Sequence, residues 1–174
     1  MKDREFEEQI GRICRNEKEG LRVIYEEYCS MIYSVVLEIL HNREDAEDVT
    51  SEFFIRLWDI ADTYRPGGRH RAWLITIAHN LAIDHIRKRK REELSAEIPD
   101  HLHKGGDFPE DQLCSRLSLE QALKTLKEEE RQIVNLKIMG ELTFREIGAL
   151  LKKPQGTVAW CYRTAIRKLR EVQL

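Results

Sequence analysis

The sequence contains no apolar run long enough to cross a membrane, and its cysteines are few and dispersed. No stretch approaches the roughly 18 apolar residues that a membrane span needs, and the charged start MKDREFEE is unlike a secretory signal. The four cysteines, Cys14, Cys29, Cys114 and Cys161, include no CxxC pair. We therefore expect a cytoplasmic protein without membrane insertion, a disulfide framework or a zinc site.

An excess of either charge is also absent, since the 174 residues carry a formal net charge of −2. The charges are nevertheless segregated along the chain. Residues 38–52 hold six acids against the one base Arg43, whereas residues 143–171 hold seven bases against Glu146 and Glu171. A protein with separate basic and acidic faces can bind a polyanion with one face and a basic partner with the other.

Apolar residues recur at helical spacing through the first 62 residues and predict three helices, over residues 3–16, 20–41 and 42–62. Asn42 is a plausible N-cap, and the acids that follow it suit the positive end of a helix dipole. Capping explains only some of these acids. A second, mixed stripe on the third helix has the composition of a surface that meets a protein partner, although spacing alone does not decide this. The stripe comprises Asp48, Ser51, Glu52 and Ile55.

Residues 64–68 read YRPGG and predict a loop, because proline followed by two glycines does not continue a helix. An adaptable loop that carries Tyr64 beside a base suits an unstacked nucleotide. It equally fits an ordinary connection between two helices.

The stretch RHRAWLITIAHNLAIDHIRKRKR, residues 69–91, organises the chain as an amphipathic helix. Its predicted buried side comprises Trp73, Leu74, Ile77, Ala78, Leu81 and Ala82, and its other side Thr76, Asn80, Asp84 and Arg87. The unbroken basic run 87–91 has two explanations. It can complement the helix dipole. Alternatively, it can hold a nucleic-acid strand together with the Asn80 amide, the Thr76 hydroxyl, Arg69 and Arg71.

Residues 94–117 lack a sustained apolar period and predict a linker. Ser118 can cap a helix that holds Leu119, Ala122, Leu123 and Leu126, and a second helix follows over residues 128–139 with Ile133, Val134, Leu136 and Ile138 as its apolar residues. His101 and His103 in the linker are too close in sequence, without further ligands, to argue for a metal.

The last segment predicts a helix-turn-helix. Thr143 and Glu146 form a capping box before a short helix, Lys152 and Lys153 form a turn, and Pro154 suits the first position of the next helix. That helix places Val158, Tyr162, Ala165 and Leu169 on one side and Gln155, Ala159, Arg163, Arg167 and Arg170 on the other. A basic second helix after a tight turn is typical of a helix that enters the major groove.

These blocks resemble the sigma-70 family of bacterial transcription initiation factors, in its small extracytoplasmic function class. DAEDVTSEFFIRLWD (45–59) looks like the core-polymerase-binding helix, residues 71–91 look like the promoter-melting and minus-10 helix, and LTFREIGALLKKPQGTVAWCYRTAIRKLR is similar to the minus-35 helix-turn-helix. The resemblance implies an all-α fold of two small helical domains joined by a flexible linker. The domains would be sigma region 2 at 1–93 and sigma region 4 at 118–174, with the linker at 94–117.

The resemblance further implies a protein that is not an enzyme and needs no metal or cofactor. Its partners would be promoter DNA, the clamp of the largest core RNA polymerase subunit, the flap of the second-largest subunit and an anti-sigma factor. The core-binding residues would be Asp45, Asp48, Ser51, Glu52 and Ile55. The minus-10 contacts would be Tyr64, Arg69, Arg71, Trp73, Thr76, Asn80, Arg87 and Lys88, although Trp73 also fits the helix core. The minus-35 contacts would be Arg145, Lys153, Gln155, Thr157, Ala159, Trp160, Arg163 and Arg167.

The chain departs from the family pattern at Ser51, where glutamine is usual, at Lys152, where the turn glycine is usual, and at Ala159–Cys161, where Lys-Ser-Arg is usual. We interpret these departures as altered promoter preference. A DNA-binding regulator that never joins polymerase is the alternative, but it leaves the first block without a role. A metal-dependent hydrolase that uses His79, Asp84 and His85 is disfavoured, because the two histidines point about 120 degrees apart on a helix.

Overall fold

The computed structural model describes residues 1–67, 69–95 and 125–172, and every regular element in those ranges is a helix. The predicted all-α class is therefore confirmed. Contacts between helices divide the chain into two compact units, Met1–Gly105 and Gly106–Leu174. The predicted linker and the helix predicted at Ser118 lie outside the described residues, apart from the first two linker positions and Leu126. Within the described ranges, no helix combines the length and apolarity of a membrane span.

The described residues of the first unit form four α-helices, arranged around the second of them. They are α1 (Asp3–Cys14), α2 (Lys18–Leu40), α3 (Arg43–Ile60) and α4 (His70–Ser95), with a 3-10 turn (Ala61–Thr63) after α3. Helix α2 packs against each of the other three. The largest side chains that are almost fully buried in this unit are Phe6, Ile24, Tyr28, Ile32, Val36, Phe53, Leu57, Leu74 and Ile75.

The boundaries of these helices follow from local chemistry. His41 ends α2 in the left-handed conformation, and the Asn42 side chain caps α3 by accepting a hydrogen bond from the Asp45 amide at 3.0 Å. At the start of α2, a Cβ on Gly20 would lie 2.5 Å from the carbonyl oxygen of Gln9. Only glycine therefore allows α1 and α2 to approach this closely.

The second unit contains three described helices, α5 (Glu128–Ile138), α6 (Phe144–Leu151) and α7 (Gln155–Val172). Ile133, Leu136, Ile147, Val158 and Ala165 form its buried core. Ile138, one of the four apolar residues of the predicted helix, is 54% exposed. It follows Leu136 by two residues, about 200 degrees around the helix, and so it points away from the core.

Candidate nucleic-acid and protein interfaces

Helix α3 exposes the mixed stripe that its sequence predicts. Asp48, Ser51, Glu52 and Ile55 are all exposed, and Ile55 is 67% exposed. The opposite side of the helix is buried through Ala46, Val49, Phe53 and Leu57. An apolar side chain flanked by acids on an exposed face has the composition of a protein-binding surface.

Asp45, which the resemblance placed among the core-binding residues, lies outside this stripe and faces α4. Its carboxylate lies 2.9 Å from the Arg89 guanidinium and 3.3 Å from Nε2 of His85, and the side chain is only 23% exposed. Asp45 sits at the border between the exposed and buried sides of α3, within reach of α4. It therefore ties the first turn of α3 to the basic end of α4.

Tyr64 is buried, which contradicts its assignment as a loop aromatic open to a nucleotide. Its ring packs edge-on against Phe6 at 5.1 Å and tilts against Trp73 at 5.0 Å. Burial raises the pKa of Tyr64, and the negative charges of Glu7 and Asp3 add to this effect. Trp73 is half-buried in the same cluster, which favours the core alternative for most of its surface.

Arg71 is half-buried and turns toward α2, and its assignment as a DNA contact stays a prediction. Its guanidinium carbon lies 5.6 Å from the ring centroid of Tyr28, and one of its nitrogens lies 3.8 Å from the Met31 sulfur. A cation over an aromatic face is an attractive arrangement. Arg71 therefore joins α4 to α2.

His70, which the sequence analysis missed, anchors the first turn of α4. The buried imidazole bonds the Tyr28 hydroxyl through Nε2 at 2.6 Å, and it is stacked on Phe6 at 4.7 Å. Its Nδ1 contacts the Asp3 carboxylate, and this hydrogen bond holds the pKa of Asp3 below its ordinary value. Both hydrogen-bond partners lie more than 40 residues away in sequence, so no local pattern identifies His70.

The remaining predicted residues of α4 and its entry share one exposed surface. Arg69, Thr76, Asn80, Arg87 and Lys88 are exposed. The buried stripe is formed by Leu74, Ile75, Ala78 and Ala82. The Thr76 hydroxyl donates to the carbonyl of Ala72 at 2.7 Å, and Arg87 lies 3.1 Å from Asp84. This surface offers an amide, a hydroxyl oxygen and cations in line, as a single strand requires.

The turn between α6 and α7 depends on a glycine outside the usual turn position. Thr143 and Glu146 form the predicted capping box, which begins α6. Lys152 ends α6 with a φ of 55°, and the amide of Lys153 donates to the carbonyl of Gly148 at 2.8 Å. A Cβ on Gly148 would lie 2.6 Å from the carbonyl oxygen of Lys153. Gly148 thus permits the close turn while Lys152 adopts the left-handed conformation.

Two of the distinctive residues in this unit have internal partners. The Lys153 ammonium lies 2.7 Å from the Glu129 carboxylate of α5, and its assignment as a DNA contact stays a prediction. Cys161 is buried 3.9 Å from the same carboxylate, and burial raises the pKa of its thiol. Cys161 is therefore a core residue rather than a base contact.

Helix α7 presents a polar and aromatic outer face. Gln155, Thr157, Trp160, Arg163 and Arg167 are exposed, as is Arg145 on α6, whereas Ala159 is half-buried. Trp160 is 64% exposed, which is unusual for so large an apolar side chain.

Glu130, which the sequence analysis also missed, fixes α7 against α5. Its buried carboxylate accepts hydrogen bonds from the Lys168 ammonium at 2.7 and 2.8 Å and from the Lys127 amide at 2.9 Å. Burial by itself would raise the pKa of Glu130, but these hydrogen bonds lower it overall. The bonded pair holds the orientation of the basic helix.

Within the part of the chain that the structure describes, no three His, Cys, Asp or Glu side chains gather closely enough to hold a metal ion. His79 is half-buried, and desolvation lowers the pKa of its imidazole. The residues of the hydrolase alternative are thus not assembled.

Two family models match the chain in the order of its units. "Sigma-70 region 2" matches residues 24–92, and "Sigma-70, region 4" matches residues 122–171. The ECF RNA polymerase sigma factor SigW of Bacillus subtilis is 32% identical, and the alignment covers 95% of this chain and 93% of SigW. The ECF RNA polymerase sigma factor SigK of Mycobacterium ulcerans is 27% identical over 92% of this chain and 89% of SigK.

Two solved structures share the fold. CnrH, in complex with the cytosolic domain of CnrY, has a TM-score of 0.63 at 17% identity and 97% coverage of both chains. The sigma factor RpoE of Bartonella quintana, in complex with the anti-sigma factor NepR, has a TM-score of 0.63 at 19% identity and covers 87% of this chain and 95% of its own.

Proposed function

The chain belongs to the extracytoplasmic function sigma factors of the sigma-70 family and directs promoter-specific transcription initiation, and we propose that it does so through three exposed helix faces. One observation carries this proposal. The first unit exposes Asp48 and Glu52 on α3 but Arg87 and Lys88 on α4. The basic face suits a polyanion, and the mixed acidic face remains for a protein. Sigma factors are not an enzyme class.

We propose that α3 docks on the clamp of the largest subunit of core RNA polymerase. Ile55 supplies an exposed apolar centre, and Asp48, Ser51 and Glu52 supply polar contacts beside it. Asp45 is left out of this surface because Arg89 and His85 already engage its carboxylate.

The exposed face of α4 would hold the non-template strand of the minus-10 element. Asn80 and Thr76 can hydrogen-bond base edges, while Arg69, Arg87 and Lys88 can meet phosphates. Extruding one base costs a few kcal/mol, which its capture beside residues 64–69 would offset. With Tyr64 buried, the base would meet the exposed residues 65–67 and the exposed part of Trp73.

Helix α7 would read the minus-35 element from the major groove. Gln155 and Arg163 can hydrogen-bond base edges, and Arg167 can meet a phosphate. Trp160 brings apolar surface to the same face, and in the major groove such surface meets the methyl group of thymine. The exposed Ile138 and Met139 support a protein contact on this unit, which we assign to the flap of the second-largest polymerase subunit.

We also propose an anti-sigma factor as a partner in the cytoplasm. CnrH and the Bartonella RpoE were each solved with a bound partner, named an anti-sigma factor for RpoE. In this scheme residues 1–93 serve the polymerase and the minus-10 element, residues 94–117 link the units, and residues 118–174 serve the minus-35 element.

Run-off transcription with purified core polymerase tests the proposal. Wild-type protein should start RNA synthesis at sites in its own genome, and Ile55→Asp should abolish this activity by weakening the complex with core polymerase. Duplex binding by the isolated Ile55→Asp protein should be unchanged, because α7 lies in the other unit. A wild-type protein that binds promoters but never supports RNA synthesis would instead be an ordinary DNA-binding regulator.

A further inference from the structure

Helix α1 precedes the segment that matches sigma-70 region 2, yet it contacts the entry to α4 at several points. Phe6 is fully buried, and its ring contacts Tyr64, His70 and Trp73 at centroid distances of 5.1, 4.7 and 6.3 Å. Asp3 bonds the His70 imidazole from the same helix. Both ends of the connection between α3 and α4 therefore rest on α1.

Between these two ends, Glu7 holds the connection itself. Its Oε1 accepts a hydrogen bond from the amide of Gly67 at 3.1 Å, across 60 residues of sequence. Gly67 has a φ of 109°, a conformation that glycine adopts freely, and a Cβ at this position would touch nothing within 4 Å. The space on the Cβ side of Gly67 is therefore open, and the hydrogen bond from its amide to the Glu7 carboxylate restrains this backbone from the side of α1.

We propose that Glu7 is a positioning residue for capture of the flipped minus-10 base, with α1 as the support that holds residues 64–67 ready for it. This inference rests on the proposed role of that segment in base capture. A glycine-containing segment loses conformational freedom when it closes on a base. A hydrogen bond that fixes the segment beforehand reduces this loss, and the base then binds more tightly.

The negative charge of Glu7 should weaken binding of the DNA strand, whereas its hydrogen bond to Gly67 should strengthen it, so substitutions can separate the two effects. A carboxylate near a phosphate strand repels it, and a purely electrostatic role predicts that any neutral substitution improves binding. Positioning requires only an acceptor oxygen. Glu7→Gln keeps that acceptor, whereas Glu7→Ala removes it.

The experiment measures the affinity of the holoenzyme for a labelled single strand. The strand carries the non-template minus-10 segment of a promoter that the wild-type holoenzyme uses, and parallel strands replace each base in turn with an abasic site. The readout is the ratio of intact to abasic affinity at the position where this ratio is largest. Glu8→Ala is the matched control, because it removes the same charge one residue along the helix, from a carboxylate that lies 3.5 Å from Arg12 on α1 itself.

We expect Glu7→Ala to reduce the ratio about fivefold, the effect of one hydrogen bond, while Glu7→Gln and Glu8→Ala keep the wild-type ratio. A purely structural change would lower all affinities together and leave the ratio unchanged. An unchanged ratio in Glu7→Ala, or an equal loss in Glu7→Gln or Glu8→Ala, would overturn the positioning role. A wild-type ratio near one at every position would instead refute base capture itself.

Discussion

Asp45 provides the most informative single substitution in the first unit, because sequence and structure assign it different partners. By sequence it heads the polymerase-binding helix, and in the structure its carboxylate holds Arg89 and His85 of α4. Asp45→Asn keeps the shape of the side chain and removes its charge. The Arg89 guanidinium would then lose its ion pair with Asp45 and could turn to a phosphate.

The expected changes follow from the geometry. The ion pair is partly exposed, so its loss should lower the free energy of unfolding by about 1 kcal/mol at most. Loss of an acid from the first turn of α3 should cost roughly a further 0.5 kcal/mol through the helix dipole. Folding therefore survives. One added phosphate contact should steepen the logarithmic salt dependence of single-strand binding by about 0.7.

The assay is a salt titration of holoenzyme binding to the non-template minus-10 strand, combined with a titration of core polymerase by the free protein. Asp48→Asn is the control, since Asp48 lies on the exposed stripe of α3. Asp48→Asn should weaken the complex with core polymerase and leave the salt slope unchanged. Asp45→Asn should leave the affinity for core polymerase unchanged and steepen the salt slope. If Asp45→Asn lost core affinity at an unchanged slope, Asp45 would be a polymerase contact after all.

Three further predictions concern the DNA-binding helices. Replacing Arg87 and Lys88 together by glutamine should lower open-complex yield and flatten the single-strand salt slope by about 1.4; a wild-type slope would contradict their contact with phosphates. Arg163→Ala should weaken minus-35 duplex binding about tenfold and spare initiation on a pre-melted template that lacks this element, so equal loss on both templates would refute the assignment. The pKa of Glu130 lies below its ordinary value of 4.5, so its stabilising effect is present above that pH and is lost as the pH falls through the folded pKa. Glu130→Gln should therefore lower the free energy of unfolding at neutral pH, and this free energy should fall less on acidification than it does in the wild-type protein, as measured by denaturant titrations at several pH values. A plot of unfolding free energy against pH that runs parallel to the wild-type plot would contradict this linkage.

Apolar periodicity and helix-capping residues predicted most of the described fold. The apolar spacing and the Asn42 cap predicted α1, α2 and α3, and the Thr143 capping box predicted the start of α6. These features depend on residues three or four positions apart, which interact whatever the rest of the chain does. The apolar content of α5 did not by itself predict which of its residues are buried, and Ile138 is exposed.

The candidate interfaces were predicted less well at the ends of the helices. Tyr64 was expected to face a nucleotide, but Phe6 from α1 covers it. Arg71 was expected to face DNA, but the Tyr28 ring lies beneath its guanidinium. The partners in both cases come from helices distant in sequence, and no local pattern specifies them. Mid-helix positions such as Thr76 and Asn80 were easier, since their exposure follows from the buried stripe opposite.

A common arrangement explains how a chain of net charge −2 can present two basic surfaces. In the first unit an acid in the first turn of α3 binds a base at the end of α4, and in the second unit Glu130 in the first turn of α5 binds Lys168 of α7. First-turn acids are favoured by the helix dipole whether or not they have a partner. Each acid therefore stabilises its own helix and orients the basic one. The outward-facing Arg87 and Arg163 are thereby held in place to meet phosphates and nucleobases. Because Arg89 is paired with Asp45, the number of basic residues in the run 87–91 overestimates the phosphate contacts of the wild-type protein.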